Sequence, residues 1–132
     1  MRFPSLESVL DLHDAILHET GGEPGVLDLG TVRSALERAE WGPFGRVPDL
    51  FDRAALLLRG ICQDHPFADG NKRTAFEATD LFLGLNGEGI VAAQASVVAF
   101  MLDVAQGNLE LDALAAWLRE NTKDNQSGET IE

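Results

Sequence analysis

The sequence predicts an all-α, single-domain bundle of about six helices. Three observations carry that expectation: apolar residues recur every three to four positions, period-two alternation is nearly absent, and glycine and proline punctuate the chain between the periodic stretches. A length of 132 residues is enough for one sizeable core. Hydrophobic residues at 45% and charged residues at 24% are the composition of a globular protein.

Ser5 is placed to cap a first helix whose apolar positions are Leu6, Val9, Leu10, Ile16 and Leu17. Gly21-Gly22-Glu23-Pro24-Gly25 stops it. Thr31 is read as the cap of a second helix, with Val32, Ala35, Leu36 and Ala39 on one face. Trp41 to Pro48 reads as a loop. In it, Trp41 and Phe44 either cover the core, the favoured reading, or help to dock a partner. Asp49 opens a strongly apolar third helix through Leu50, Phe51, Ala54, Ala55, Leu57, Leu58, Ile61 and Cys62; apolar on most of its circumference, it belongs at the centre of the bundle. A fourth helix runs from near Asn71 to Asn86-Gly87, a fifth from about Ala95 to Ala105, and a sixth from near Asp112 through Leu114, Trp117 and Leu118. Residues 1–122 form the expected domain, and the polar stretch 123–132 is expected to be a disordered tail.

Several function classes are disfavoured. The net charge of −12 repels phosphate backbones, so no direct nucleic-acid partner is expected. The longest apolar run, Ala54 to Leu58, is far too short to span a membrane. Charges at Glu7, Asp11 and Asp14 argue against an export signal. The single cysteine, Cys62, cannot form an internal disulfide, and a cytoplasmic location fits best. It reads as a small core hydrophobe rather than a nucleophile. His13 and His18 stand five apart, so they do not share a helix face as zinc ligands; they read as a core-edge and a solvent residue.

The segment His65-Pro66-Phe67-Ala68-Asp69-Gly70-Asn71-Lys72-Arg73 joins two apolar helices yet holds His, Asp, Asn, Lys and Arg within nine positions. Lys72 and Arg73 fall in the first turn of a helix, where the macrodipole is already positive. An anion compensates such a placement: backbone N–H groups near Gly70 and Asn71, with Lys72 and Arg73, make a phosphate-binding nest. Asp69 beside bound phosphates is the usual kind of Mg²⁺ ligand. His65 is a candidate general base. Together these are the parts of a nucleotide-transfer site. Each residue also has a plainer reading: a helix C-cap for His65, an N-cap for Asp69, a solvated face for Lys72-Arg73. It is their joint spacing that favours chemistry.

These nine residues resemble the motif of the Fic/Doc family: His, any, Phe, any, Asp or Glu, Gly or Ala, Asn, Gly or Lys, Arg. His65, Phe67, Asp69, Gly70, Asn71, Lys72 and Arg73 match every fixed position. Leu12-His13-Asp14, Gly21 to Val26 and Ser34-Ala35-Leu36 also look like the N-terminal half of the death-on-curing (Doc) toxins, so the resemblance covers roughly positions 5 to 118.

The resemblance implies an all-α fold with the motif between two central helices, and it implies residue roles. His65 becomes the base that activates a target hydroxyl and Asp69 the Mg²⁺ ligand. Gly70, Asn71, Lys72 and Arg73 form the phosphate cradle, and Phe67 is the anchor of the loop. Fic enzymes, which transfer AMP from ATP, typically have Gly at the position of Lys72 and a second Arg at the position of Phe76. Lys72 and Phe76 therefore place the chain on the Doc side. That branch implies a toxin of a toxin-antitoxin module, transferring the γ-phosphate of ATP to a Thr of elongation factor Tu and so inhibiting translation. It also implies a cognate antitoxin partner acting in trans. AMP transfer stays open, because Pro66 and Gly70 are common in Fic enzymes, and so does an inactive nucleotide- or antitoxin-binding module.

Overall fold

The computed structural model describes residues 1–125. Six helices follow in order: α1 (Leu6–Thr20), α2 (Leu29–Trp41), α3 (Leu50–Asp64), α4 (Asn71–Leu85), α5 (Gln94–Gln106) and α6 (Leu111–Glu120). The all-α expectation holds. A small addition is an antiparallel ribbon of β1 (Glu88–Ile90) and β2 (Thr122–Asp124), with Ile90 opposite Thr122 and Glu88 opposite Asp124. Three-residue strands are too short for alternation to register in a sequence. The ribbon includes residues that the sequence assigned to a disordered tail from 123 to 132. Lys123 and Asp124 are strand residues, and residues 126–132 lie outside the described part of the chain. Among the described residues, no helix is long and apolar enough to cross a membrane.

Side-chain caps define the early helices. Ser5 caps α1, its hydroxyl accepting from Ser8 N–H at 3.1 Å. Asp49 caps α3 in a reciprocal box: it accepts from Asp52 N–H, and Asp52 accepts from Asp49 N–H, both at 2.9 Å. Burial tends to raise the Asp49 pKa, but the Asp52 N–H and the Arg119 guanidinium outweigh it and hold the carboxyl below its ordinary value. The cap of α2 differs from expectation. It is Asp28, two residues before the helical Gly30, and Thr31 is the residue whose N–H it receives, at 3.2 Å. The helix starts at Leu29, ahead of Thr31, so the cap must lie before it, and the Asp28 carboxylate takes an N–H of the first turn.

α3 is the central helix, packing against α2, α4, α5 and α6. Its Leu57, Leu58 and Ile61 are wholly buried with Phe82 and Leu83 of α4 and with Leu114 and Leu118 of α6. Phe100 of α5 stacks on Trp117 of α6, ring centroids 3.9 Å apart. Phe3 stacks on Phe82 at 5.0 Å. Phe44 is half-buried under the Arg53 guanidinium, 5.2 Å from its ring centroid. Trp41 ends α2 and is 77% exposed, so it does not cover the core.

Gly60 explains how closely α2 and α3 approach. A Cβ placed on it would lie 2.8 Å from the Cβ of Ala35. Glycine in mid-helix costs about 1 kcal/mol relative to alanine, so its presence at this crossing reflects contact rather than propensity. Gly60→Ala is expected to destabilise the fold, because overpacking costs about 1–3 kcal/mol against that small helical gain. A lower urea midpoint at unchanged m-value is the expected readout; an unchanged or higher midpoint would mean that the helices slide apart freely.

Candidate active site

The motif occupies the turn between α3 and α4, and its geometry begins with Phe67. That ring is buried at 1% exposure, while His65 and Asp69 on either side are exposed. Asn71, the first residue of α4, closes a ring around it: Phe67 N–H donates to Asn71 Oδ1 at 3.0 Å, and Asn71 Nδ2 donates to Phe67 O at 2.9 Å. The Asn71 side chain thus holds the loop to its own helix. Its amide bridges backbone, and its contribution to the cleft is its position at the start of α4.

A second set of bonds ties the motif to the loop between α1 and α2. Val26 and Phe67 form an isolated antiparallel bridge. Leu27 N–H donates to Pro66 O at 2.8 Å and Ala68 N–H to Gly25 O at 3.1 Å. Glu23 N–H donates to Asp69 Oδ2 at 2.7 Å. Asp69 therefore does not cap α4. The N-cap is Gly70, in the left-handed region at φ 82°, and no side chain takes the N–H groups that begin the helix. That leaves these donors, at the positive end of the helix dipole, without a side-chain acceptor.

His65 ends α3 in the left-handed conformation, φ 48°, and is the one non-glycine residue with positive φ among the described residues. The backbone there costs on the order of 1 kcal/mol. So it does sit at the C-cap, as the plainer reading has it, but it also lines the cleft, together with Asp69, Gly70, Asn71, Lys72 and Arg73. The cleft has a volume of about 620 Å³, in the range of small-molecule sites. Its other wall is apolar: Phe76 of α4 and Val97, Val98, Met101 and Leu102 of α5. That wall escaped the sequence reading, since helical spacing on α5 does not say which element it faces.

Lys72 and Arg73 are both exposed on the first turn of α4. Arg73 is flanked by two carboxylates, Glu77 at 3.0 Å and Glu19 at 3.3 Å, which raise its pKa above the ordinary value. Cys62 is wholly buried, and that burial pushes its thiol pKa up, with the Lys72 charge pulling the other way. It is a core residue. His18 is an exposed surface residue beside Asp14. His13 is more than a core-edge residue: at 5% exposure it stacks on Phe67, centroids 3.8 Å apart, and its Nε2 lies 2.8 Å from Asp69 O. Nothing local in the sequence marks a contact across 56 positions.

The double bond of Asn71 to Phe67 predicts a graded response. Asn71→Ala loses both hydrogen bonds and is expected to cost about 1–3 kcal/mol. Asn71→Asp keeps the acceptor for Phe67 N–H but sets a carboxylate oxygen against Phe67 O, and is expected to cost at least as much. Chemical denaturation checks both; an aspartate variant as stable as the parent would show that the amide donor is dispensable.

Comparison with known proteins places the chain in a family. The family model described as Fic/DOC family matches residues 3–83, which include the whole motif. A protein of Mycolicibacterium smegmatis named Toxin Doc is 37% identical over 112 residues, covering 82% of this chain and 86% of the relative. A protein of Escherichia phage P1 named Protein kinase doc is 32% identical over 120 residues, covering 90% of this chain and 94% of the relative. With that match to the family model, and with both relatives spanning most of its length, the chain belongs to the Fic/Doc family.

Proposed function

We propose that the chain is a Doc-type toxin that acts as a kinase, transferring the γ-phosphate of ATP to a hydroxyl of a target protein. The observation that carries this reading is the convergence in one cleft of His65, Asp69 and the uncapped start of α4 with Lys72 and Arg73. The names of the two relatives, a toxin and a protein kinase, support it.

The phosphates of ATP lie on the free N–H groups of Gly70, Asn71 and Lys72, between the charges of Lys72 and Arg73. The apolar wall of Phe76 and α5 takes the base. Asp69 fits a Mg²⁺ ligand: it is exposed, and Glu23 N–H orients it through one of its two oxygens. Among the described residues there is no group of three or more His, Cys, Asp or Glu that could cage a metal. Mg²⁺ needs only one or two carboxylates when phosphate oxygens and water complete its shell. When bound, Mg²⁺ supplies neutralisation of phosphate charge. His65 takes the proton of the target hydroxyl as its oxygen bonds to the γ-phosphorus; the bond from phosphorus to the β-bridging oxygen breaks and ADP leaves. Most of the catalysis is positioning and charge. The family resemblance supplies the rest of the proposal: a Thr of elongation factor Tu as target, translation arrest as outcome, a separate antitoxin as neutralising partner, and action in the cytoplasm.

Mass spectrometry of the target after incubation with Mg·ATP tests this directly. An added phosphate, lost with His65→Ala by about 10²–10⁴-fold in rate, is the expected result. An added AMP would replace the kinase by an adenylyltransferase, and equal activity of His65→Ala would remove His65 from the mechanism.

Lys72 sharpens the choice between the two transfers. A long cation occupies space that glycine leaves open beside the α-phosphate, and it draws the terminal phosphates toward itself. Lys72→Gly is expected to cost γ-phosphate transfer on the order of 2–4 kcal/mol in transition-state stabilisation, by analogy with loss of an oxyanion donor. AMP transfer is not expected to appear in its place, because Phe76 stands where a second arginine is needed. Unaltered phosphate transfer by this variant would assign Lys72 to the surface.

A further inference from the structure

We propose that His13 is a positioning residue of the cleft: it pins the Asp69–Gly70 peptide so that Gly70 N–H faces the bound anion beside the free N–H groups of α4. The inference rests on the reading of that helix start as a phosphate site.

His13 stands on α1, far from the motif in sequence, and is buried at 5% exposure. A buried imidazole needs its polar atoms satisfied. Its Nε2 lies 2.8 Å from Asp69 O. A carbonyl only accepts, so Nε2 carries the hydrogen. The ring cannot swing to serve another partner, because it lies flat on Phe67, centroids 3.8 Å apart and planes 12° from parallel. Phe67 is itself clamped by Asn71. His13 therefore presents its donor from a fixed place.

The effect on the cleft follows from peptide geometry. Asp69 C=O and Gly70 N–H belong to one planar trans peptide and point in opposite directions. A bond that draws the carbonyl toward α1 turns the N–H away from it, to the side on which Gly70 lines the cleft. Such a pin is needed at this peptide in particular. Gly70 sits at φ 82°, and glycine accepts either sign of φ, so the plane between Asp69 and Gly70 can flip at little cost. A flipped plane would present a carbonyl oxygen to the phosphates. Its neighbours in the loop are held by other bonds: Ala68 N–H to Gly25 O, the Asp69 carboxylate to Glu23 N–H. The approach of α1 is close enough that a Cβ on Gly70 would lie 3.6 Å from His13 Cδ2 and 3.5 Å from Leu17 Cδ2.

Two variants separate the donor from the ring. His13→Phe keeps an aromatic ring over Phe67 and removes the donor; His13→Gln keeps a donor and removes the ring. In the full chain, ¹⁵N NMR is expected to show His13 protonated at Nε2 and a single Gly70 amide resonance. That resonance is expected to shift or double in His13→Phe and to stay near its place in His13→Gln. Calorimetric titration with Mg·ATP is expected to give binding roughly tenfold weaker for His13→Phe, the size of one lost hydrogen bond to a charged group, and within a few-fold of the parent for His13→Gln. Should His13→Phe not fold, the parent tautomer and the Gly70 resonance of His13→Gln decide. A parent ring protonated at Nδ1 alone overturns the proposal. So does a Gly70 resonance unmoved in His13→Phe, or displaced equally in both variants. If the parent does not bind Mg·ATP, the phosphate-site reading fails, and the two NMR readouts still accept or reject the pinned peptide.

Discussion

The burial of the Phe67 ring, with the Asn71 side chain closed over its backbone, is the contact on which the cleft depends. A nine-residue segment of mostly polar character has little reason to adopt one conformation between two helices. Sinking one aromatic ring into the core removes that freedom, and the paired bonds to Asn71 tie the point of burial to the first turn of α4. The residues on either side are then forced outward, which is why His65 and Asp69 are exposed while Pro66 and Phe67 are not. The left-handed backbone at His65 follows from the same constraint, since the chain must leave α3 sharply to bring the next-but-one residue into the core. Without this anchor the left-handed turn at His65 would have nothing to repay its cost.

The bundle and the cleft were legible in the sequence to different degrees, for physical reasons. Helices such as α3 announce themselves because a central element is apolar around most of its circumference and carries an acidic cap at Asp49. The motif announces itself because two cations at a helix start contradict local preference and stand within nine positions of a His, an Asp and an Asn. What stayed hidden depends on contacts between distant segments. The short ribbon of Glu88–Ile90 with Thr122–Asp124 has no pattern of its own. Thr31 reads as a cap in the sequence, while the helix starts two residues earlier and is capped by Asp28. His13 looks like any histidine on a half-apolar face until Phe67 and Asp69 arrive beside it from across the chain. Nothing in the motif's spacing shows that the Asn71 side chain bridges the backbone of Phe67; a carboxamide that both donates and accepts suits a backbone N–H and C=O better than an anion, which only accepts.

The loop between α1 and α2 emerges as the second half of the site. It contributes backbone: Glu23 N–H, Gly25 O, Leu27 N–H, with Val26 bridged to Phe67. Backbone partners leave little trace in side-chain identity, so local pattern alone reads the glycines and proline of this segment as a stop to α1. In the fold they allow an extended stretch to lie against the motif. Both the shape of the cleft and the orientation of its carboxylate thereby depend on a segment more than forty positions away.

Arg73 sits between Glu19 and Glu77, all three partly open to solvent. Exposed ion pairs of this kind are worth only about 0–1 kcal/mol each, yet two of them compete with any incoming anion for the same guanidinium. A singly charged ion gains from Arg73 little more than it takes from the glutamates, and it meets the repulsion of both. On the proposed phosphate reading, a polyphosphate that also reaches Lys72 and the start of α4 offsets more than the two carboxylates contribute. The pair of glutamates would then act as a valence filter, favouring ligands that carry several charges at once over monoanions.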